Sequence, residues 1–389
     1  MILVHVEVVK NTKNAAEDSI LLRQGSRWRR SSAVFLFLFI HDIMARHSGK
    51  KENGIMIRFA TIGSNFIVDW FAANLPFCDG IEYSAVYSRT MERGREFAEK
   101  YGVQKVYDNL EELAMDEDID AVYIASPNRC HYQQTMMMLN YGKHVLCEKP
   151  ATSNEKELEL ILEAAKANHV VYMEAMKNIF TPGFLVVREQ LEKIAPIRRA
   201  TIERCKYSSA YEDFKKGKEV HSFLHKFSSG ALMDTGCYAV HFFVELFGMP
   251  DHIMAAGVDL SEGSDGAGTI LVQYQDMVGE ILYSKISKSE VQSQIQGENG
   301  TILIDDTSHP RKITVISLNG EREEFHIPLH PAEGSRNNLI YEILEFQKLV
   351  EEQRVEHPYL EGTKHTIRVM DEARKQMGIV FPADKIWEV

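Results

Sequence analysis

Beyond residue 55, short apolar runs alternate with segments whose apolar positions recur at helical spacing. Residues 56–62 are short and almost wholly apolar, as expected of a parallel strand buried on both faces. Gly63-Ser64-Asn65-Phe66-Ile67-Val68 follows as a strand-to-helix turn, then a helix over 69–75. A second strand is predicted at 81–87 and an amphipathic helix at 90–101, stopped by Gly102. Strand 120–126 ends at Pro127, helix 132–141 closes at Gly142, and strand 144–148 follows. Asn154 is placed to cap a helix running to 167, and 169–174 completes the series. Regular alternation of strand and helix with short joins predicts a doubly wound parallel sheet.

The pattern changes after Pro182. A helix at 183–194 leads into a long strand at 197–206, and 229–247 reads as one helix stopped by Gly248 and Pro250. Period-2 runs then cover 253–260, 268–275, 278–287, 292–297, 301–305, 312–318 and 323–327. Gly-Ser-Asp-Gly, Glu-Asn-Gly and Asn-Gly turns separate some of them. Helices at 337–353 and 363–377 close the chain. The predicted fold class is α/β: a Rossmann doubly wound parallel sheet over 56–176, followed by an α+β domain over 177–389. The second domain carries a large open, mostly antiparallel sheet.

Residues 1–55 stand apart. Four arginines (Arg23, Arg27, Arg29, Arg30) precede the apolar run 33–40, which resembles a secretory signal but lies too far from Met1 and lacks a small-residue cleavage site. The run is too short to span a bilayer. The expectation is a disordered leader or a non-native extension, such as an upstream translation of non-coding sequence, with the fold starting at Met56.

Length alone predicts two domains, since 389 residues exceed one typical core. A net charge of −12 argues against nucleic acid or an anionic membrane surface as the main partner. Five scattered cysteines form no C-x-x-C pair, so neither a disulfide framework nor a structural zinc site is indicated; a reducing cytosol fits. His221 and His225 have i, i+4 spacing, but Ser222 stands where a metalloprotease glutamate would, and no third ligand is evident. No metal is expected.

The candidate chemistry sits at the ends of the predicted strands, the edge where open α/β sheets bind ligands. Cys147-Glu148-Lys149-Pro150 places a lysine at that edge, either as an acid for oxygen chemistry or as the charged end of a buried strand. Gly63 supplies the first glycine of a dinucleotide loop, but Asn65 and Val68 occupy the second and third positions; an ordinary turn reads equally well. The end of the second strand, Ser88-Arg89-Thr90 with Arg93, has no carboxylate for a ribose 2′-hydroxyl. Hydroxyl and guanidinium groups suit a 2′-phosphate, favouring NADP over NAD, although both arginines could also begin a solvated helix. Ser126-Pro127-Asn128 and His131 form a turn able to reach the nicotinamide side of a cofactor, or simply start a helix. Asp234 and Tyr238 share a helix face, as a substrate-orienting carboxylate and a proton-relaying phenol whose pKa a cation lowers, or as packing partners.

Taken together, the glycine-loop start, Ser126-Pro127-Asn128 with His131, Glu148-Lys149-Pro150, Glu174-Ala175, the 230–238 segment and the 297–301 turn resemble the Gfo/Idh/MocA oxidoreductase family over roughly 56–384. Within it the chain looks most similar to the branch of dihydrodiol dehydrogenase and NADP-dependent xylose dehydrogenase, where tyrosine replaces the usual histidine. The resemblance implies hydride transfer between a nicotinamide and a hydroxyl-bearing carbon of a sugar, polyol or diol, and assigns the 177–389 domain to substrate binding and to dimerisation, as a homodimer or higher homo-oligomer through the C-terminal sheet. It implies that Lys149 hydrogen-bonds the reacting oxygen and helps lower the pKa of its proton-transfer partner. Tyr238 then stands at the catalytic histidine-or-tyrosine position, Asp234 orients substrate, and Glu148 and Pro150 shape the nicotinamide pocket. The cofactor-binding set is Gly63, Ser64, Asn65, Phe66, Ile67, Ser88, Arg89, Arg93, Ser126, Pro127, Asn128, His131, Glu148, Lys149 and Pro150. Two alternatives are a cofactor-binding regulator without turnover and a redox-assisted NAD-dependent glycosidase.

Overall fold

The computed structural model describes residues 56–260, 263–332 and 338–387, together with the backbone of one further strand, β1 (Glu7–Asn11). The rest of the stretch read as a leader lies outside the described residues. The apolar runs of the first half form β2 (Ile57–Ile62), β3 (Ile81–Tyr87), β4 (Lys105–Tyr107), β5 (Ala121–Ile124), β6 (His144–Glu148) and β7 (Tyr172–Ala175). They make one six-stranded sheet in the order β4-β3-β2-β5-β6-β7, parallel throughout. The joining helices are α1 (Phe66–Asn74), α2 (Met91–Tyr101), α3 (Leu110–Met115), α4 (His131–Asn140) and α5 (Glu155–Ala167). Side-chain caps set several starts: Asn109 accepts from the Glu111 amide and Asn154 from the Glu157 amide. β4 and α3 were not expected; at three and six residues they are too short to develop a readable period.

The second half begins with α6 (Pro182–Ile194), where Thr181 caps a helix with proline in its first turn. β8 (Ile197–Cys205) and α7 (Ala210–Lys215) follow. The helix expected over 229–247 runs unbroken from 231 to 247, but its first turn is a wide π turn (Leu232–Gly236) before the regular α8 (Cys237–Phe247). Two contacts account for the widening. The Leu232 amide donates to the Asp265 carboxylate at 2.8 Å, outside the helix ladder. A side chain at Gly236 would come within 2.9 Å of the Tyr283 ring, so the turn lies tight against the sheet. β9 (His252–Asp259), β10 (Asp265–Gln273), β11 (Val278–Ser284), β12 (Ser293–Gly297), β13 (Gly300–Ile304), β14 (Lys312–Ser317) and β15 (Arg322–His326) complete a nine-stranded sheet in the order β1-β15-β14-β13-β12-β8-β11-β10-β9. Only β8 and β11 pair in parallel; the remaining pairs are antiparallel.

The closing helices are α9 (Ile340–Glu351) and α10 (Tyr359–Met377). α9 returns to the first sheet: Ile340, Ile343, Phe346 and Leu349 share a core with Phe59, Phe71 and Leu146, and the Phe346 and Phe59 rings lie 5.6 Å apart. The division expected at 176/177 is therefore crossed in space, because an element of the last quarter completes the packing of the first domain. The opposite face of the parallel sheet packs with α4, α5 and the second domain in one continuous core.

Candidate active site

The carboxyl edge of the parallel sheet is shaped by backbone first. Gly63 has φ of +125°, and a Cβ there would lie 2.9 Å from the Ala125 carbonyl oxygen, so the turn after β2 accepts only glycine. Asn65 explains the departure from the usual glycines. Its side-chain oxygen accepts from the Ile67 and Val68 amides at 3.0 and 3.3 Å, and its amide donates to the Ala125 carbonyl at 2.9 Å. Asn65 thus caps α1 itself and ties the loop to the end of β5, which leaves the Ser64–Phe66 backbone facing the edge. Phe66 is exposed and packs edge-on against Trp70.

At the end of β3, Ser88 is buried with its hydroxyl 3.4 Å from that of Ser64, and the Arg93 guanidinium donates to the Ser64 carbonyl at 3.3 Å. Arg89 is exposed beside them. Hydroxyls and two guanidiniums without a carboxylate form a donor set suited to a dinucleotide bearing a 2′-phosphate.

The turn after β5 has a different task. Ser126 donates to Gln134 at 2.6 Å. The Asn128 amide donates to the Ser228 carbonyl at 2.9 Å and the Ser229 hydroxyl at 3.3 Å, joining the two domains. His131 is buried, with one ring nitrogen 2.9 Å from the Pro150 carbonyl and the other 2.9 Å from the Ser126 carbonyl. Burial holds its pKa below the ordinary histidine value. Asn128 thus ties the turn to the 228–229 segment, and His131, turned into the protein, holds the loop that carries Lys149 through Pro150. The carboxylate of Glu174 works on the same loop. It accepts from the Ala151 amide at 2.8 Å and the Thr363 hydroxyl at 2.9 Å, and burial pushes its pKa up to about 7.

Lys149, Asp234 and Tyr238 come together although β6 and the π turn are far apart in the chain. The Lys149 ammonium donates to the Asp234 carbonyl at 2.8 Å and its carboxylate at 3.1 Å, and stands 5.0 Å from the centre of the Tyr238 ring. A second lysine, not anticipated from sequence, completes the clamp: the Lys285 ammonium lies 2.6 Å from the other Asp234 oxygen and donates to the Ser222 carbonyl at 2.8 Å. The strand predicted over 278–287 placed Lys285 within it, whereas β11 ends at Ser284 and Lys285 stands just beyond, as Lys149 does after β6. Arg204, on the inner face of β8, lies 5.9 Å from the Tyr238 ring and pairs with Asp306 at 2.8 Å. His221 and His225 fall in separate 3₁₀ turns, and no group of three metal-ligating side chains occurs among the described residues.

Charge states follow from these contacts. Burial disfavours ionised Asp234, but Lys149 and Lys285 outweigh it and hold the carboxyl well below its usual range. Burial works against the Lys149 ammonium too, yet Tyr238 and Asp234 keep its pKa well above the ordinary lysine value. Tyr238 behaves otherwise than the sequence suggested: burial raises its pKa further than Lys149 lowers it. At neutral pH the cluster therefore holds an ammonium, a carboxylate and a neutral phenol, so Tyr238 is a proton donor. Behind it, buried Glu148 accepts from the Tyr123 hydroxyl at 2.5 Å and from the Lys149 amide at 3.2 Å.

Comparison with known proteins agrees with this architecture. Residues 57–176 match the family model described as an oxidoreductase family with an NAD-binding Rossmann fold, and 197–303 match the GFO/IDH/MocA C-terminal domain. Bacillus subtilis scyllo-inositol 2-dehydrogenase (NADP(+)) IolU is 43% identical, over 85% of this chain and 100% of that protein. Mouse trans-1,2-dihydrobenzene-1,2-diol dehydrogenase is 28% identical over 85% of this chain and 99% of its own. Among solved structures, levoglucosan dehydrogenase in complex with NADH and levoglucosan superposes with a TM-score of 0.71 at 18% identity, covering 83% of this chain and 97% of that one. The 3-ketoreductase KijD10 of Actinomadura kijaniata, with NADP and TDP-benzene, also gives 0.71, at 20% identity, over 83% and 98% of the two chains.

Proposed function

The chain belongs to the Gfo/Idh/MocA oxidoreductase family, and from that premise we propose that it transfers a hydride between NADP(H) and a hydroxyl-bearing carbon of a sugar, polyol or diol. The observation that carries this reading is the convergence of Lys149, Asp234 and Tyr238 at the carboxyl edge of the parallel sheet. When bound, the nicotinamide supplies the hydride acceptor or donor at its C4. Lys149 donates a hydrogen bond to the reacting oxygen and stabilises negative charge developing there. Tyr238, neutral in its buried setting, gives a proton to that oxygen in the reducing direction. Asp234 is kept ionised and immobile by its two lysines, so it can accept a hydrogen bond from a neighbouring substrate hydroxyl and fix the carbon that reacts. Glu148 and Pro150 shape the nicotinamide pocket. Ser64, Ser88, Arg89 and Arg93 would hold the 2′-phosphate, and the 63–67 loop the pyrophosphate, with NAD the less favoured cofactor. The inositol and dihydrodiol specificities named for the relatives supply the first substrates to try.

Two copies are proposed to pair through the outer face of the nine-stranded sheet, where Met254 and Val258 are 55% and 52% exposed beside half-buried Leu271 and Leu282. Light scattering tests that pairing. No helix among the described residues is long and apolar enough to cross a membrane. The five cysteines are all free, and on that ground the proposed setting is a reducing compartment such as the cytoplasm.

The test of function is a panel of inositols, pentoses, hexoses and diols with each nicotinamide nucleotide. Turnover with at least one polyhydroxy substrate is expected, and faster with NADP. Lys149→Met should lower kcat by about 10²–10⁴-fold while leaving NADPH binding in place. Unchanged turnover in that variant would overturn the role assignment, and binding of nucleotide with no turnover on any substrate would favour a regulator.

A further inference from the structure

A guanidinium offers five N–H donors in a rigid fork. Arg204, on β8, uses one of them, from Nη1 to the Asp306 carboxylate at 2.8 Å. Asp306, in the turn between β13 and β14, is already fully engaged. The oxygen that meets Arg204 also accepts from the Ser308 amide at 2.8 Å and the Ser308 hydroxyl at 2.9 Å. Its other oxygen takes the Lys206 ammonium at 2.7 Å. The Nε and Nη2 edge of Arg204 therefore has no acceptor among the described residues. That is the edge with which Arg58 grips Asp120, through two bonds of 2.9 and 2.8 Å. On Arg204 it is left open on a side chain only 15% exposed, whose guanidinium carbon lies 5.9 Å from the centre of the Tyr238 ring.

The surrounding charges point the same way. Each of the two aspartates here holds two cations: Asp234 has Lys149 and Lys285, and Asp306 has Arg204 and Lys206. Behind them Glu148, Glu174 and Glu342 are buried, and burial disfavours their ionised forms, as it disfavours the charged form of Lys177. The local balance is thus positive, in a chain whose net charge is −12. Cations withdrawn from water are costly to hold in excess, and an anionic ligand removes that excess.

We propose that the open edge of Arg204 receives a carboxylate of the substrate, so that the substrate class is a polyhydroxy acid, an aldonate or a uronate, rather than a neutral sugar. The inference rests on the dehydrogenase reading and narrows it. The two oxygens of a carboxylate match two parallel N–H donors, a fit that a single hydroxyl cannot reproduce. Arg204 then anchors the acid group while Lys149 and Tyr238 meet the reacting oxygen. It touches the substrate away from the carbon that reacts, so its contribution falls on KM more than on kcat.

The test compares acids with their neutral counterparts: D-glucuronate with D-glucose, D-galacturonate with D-galactose, and D-gluconate with D-glucitol. Each is assayed with NADP⁺ at about pH 7, where the acids are fully ionised. Wild-type kcat/KM should favour the acid in at least one pair by about ten- to a hundredfold, most of it in KM. Arg204→Met should abolish most of that ratio by raising KM for the acid. Should that variant not fold, Arg204→Lys keeps a cation beside Asp306 and is also expected to lose most of the preference, because an ammonium cannot present the parallel pair. Neutral compounds turned over as well as the acids, turnover confined to neutral compounds, or a preference that survives the substitution would overturn the carboxylate site and leave the dehydrogenase reading standing. No turnover of any compound, acid or neutral, would overturn both.

Discussion

Replacing Glu174 with glutamine should make the protein more stable relative to wild type as pH rises. Glu174 is 3% exposed, and burial shifts its carboxyl from 4.5 to about 7. A folded-state pKa above the unfolded one means that the native state binds the extra proton. The stability this provides is complete below the unfolded value and is lost as pH rises through the folded one. At about 1.4 kcal/mol per unit of displacement, the loss above pH 7 is about 3 kcal/mol. Glutamine does not titrate, so Glu174→Gln escapes it. Its amide must still meet the Ala151 N–H and the Thr363 hydroxyl, which adds an offset of either sign that does not vary with pH. Glu245, also raised to about 7, is pushed up in part by Glu174, so the variant relieves some of that shift too and the difference grows in the same direction; His241, lowered to about 3 by burial, contributes alike to both proteins. The assay is denaturant unfolding of both proteins at intervals between about pH 4 and pH 8. The variant's advantage should grow steadily up to neutrality and then level off. Parallel curves would refute the reasoning, because they would mean that Glu174 ionises no harder in the folded protein than in the unfolded chain.

Other substitutions probe separate parts of the site. Arg89→Ala with Arg93→Ala should weaken NADP⁺ binding by about ten- to a hundredfold and leave NAD⁺ nearly unchanged, because only the charge-assisted phosphate bonds are lost; calorimetry reads the difference. Lys285→Met removes one of the two cations on Asp234 and the bond to the Ser222 carbonyl. It should raise KM more than it lowers kcat and cost about 1–3 kcal/mol in unfolding free energy; a wild-type KM would mean that Asp234 needs only Lys149. Asn128→Ala cuts both bonds to the 228–229 turn. It should destabilise the fold by about 1 kcal/mol with nucleotide affinity retained; a selective loss of that affinity would place Asn128 at the cofactor instead.

Much of the framework was legible because buried parallel strands announce themselves. The run 144–148 was bounded correctly, and with it the position of Lys149 at the sheet edge. Asp234 and Tyr238 could be paired because four residues separate them, a local regularity that survives the π turn. Lys285 and Arg204 were missed for the opposite reason. Each is brought to the site by strand order, and no local pattern encodes that arrangement. Asn65 shows a third situation: the sequence exposed a departure from the glycine pattern, but only the cap on α1 and the bond to Ala125 give its cause. The Tyr238 pKa could not be read from its neighbours in sequence, because burial decides its direction.

The return of α9 also bears on how the chain is made. The ribosome releases the six parallel strands long before it has synthesised Ile340, Phe346 and Leu349, the side chains that cover Phe59 and Phe71. Until then the nascent first half exposes a sticky aromatic surface, and a fragment ending after β7 would carry that surface permanently. Expression of residues 56–176 alone should accordingly yield chaperone-bound or insoluble material, whereas the nearly complete chain shields itself on release.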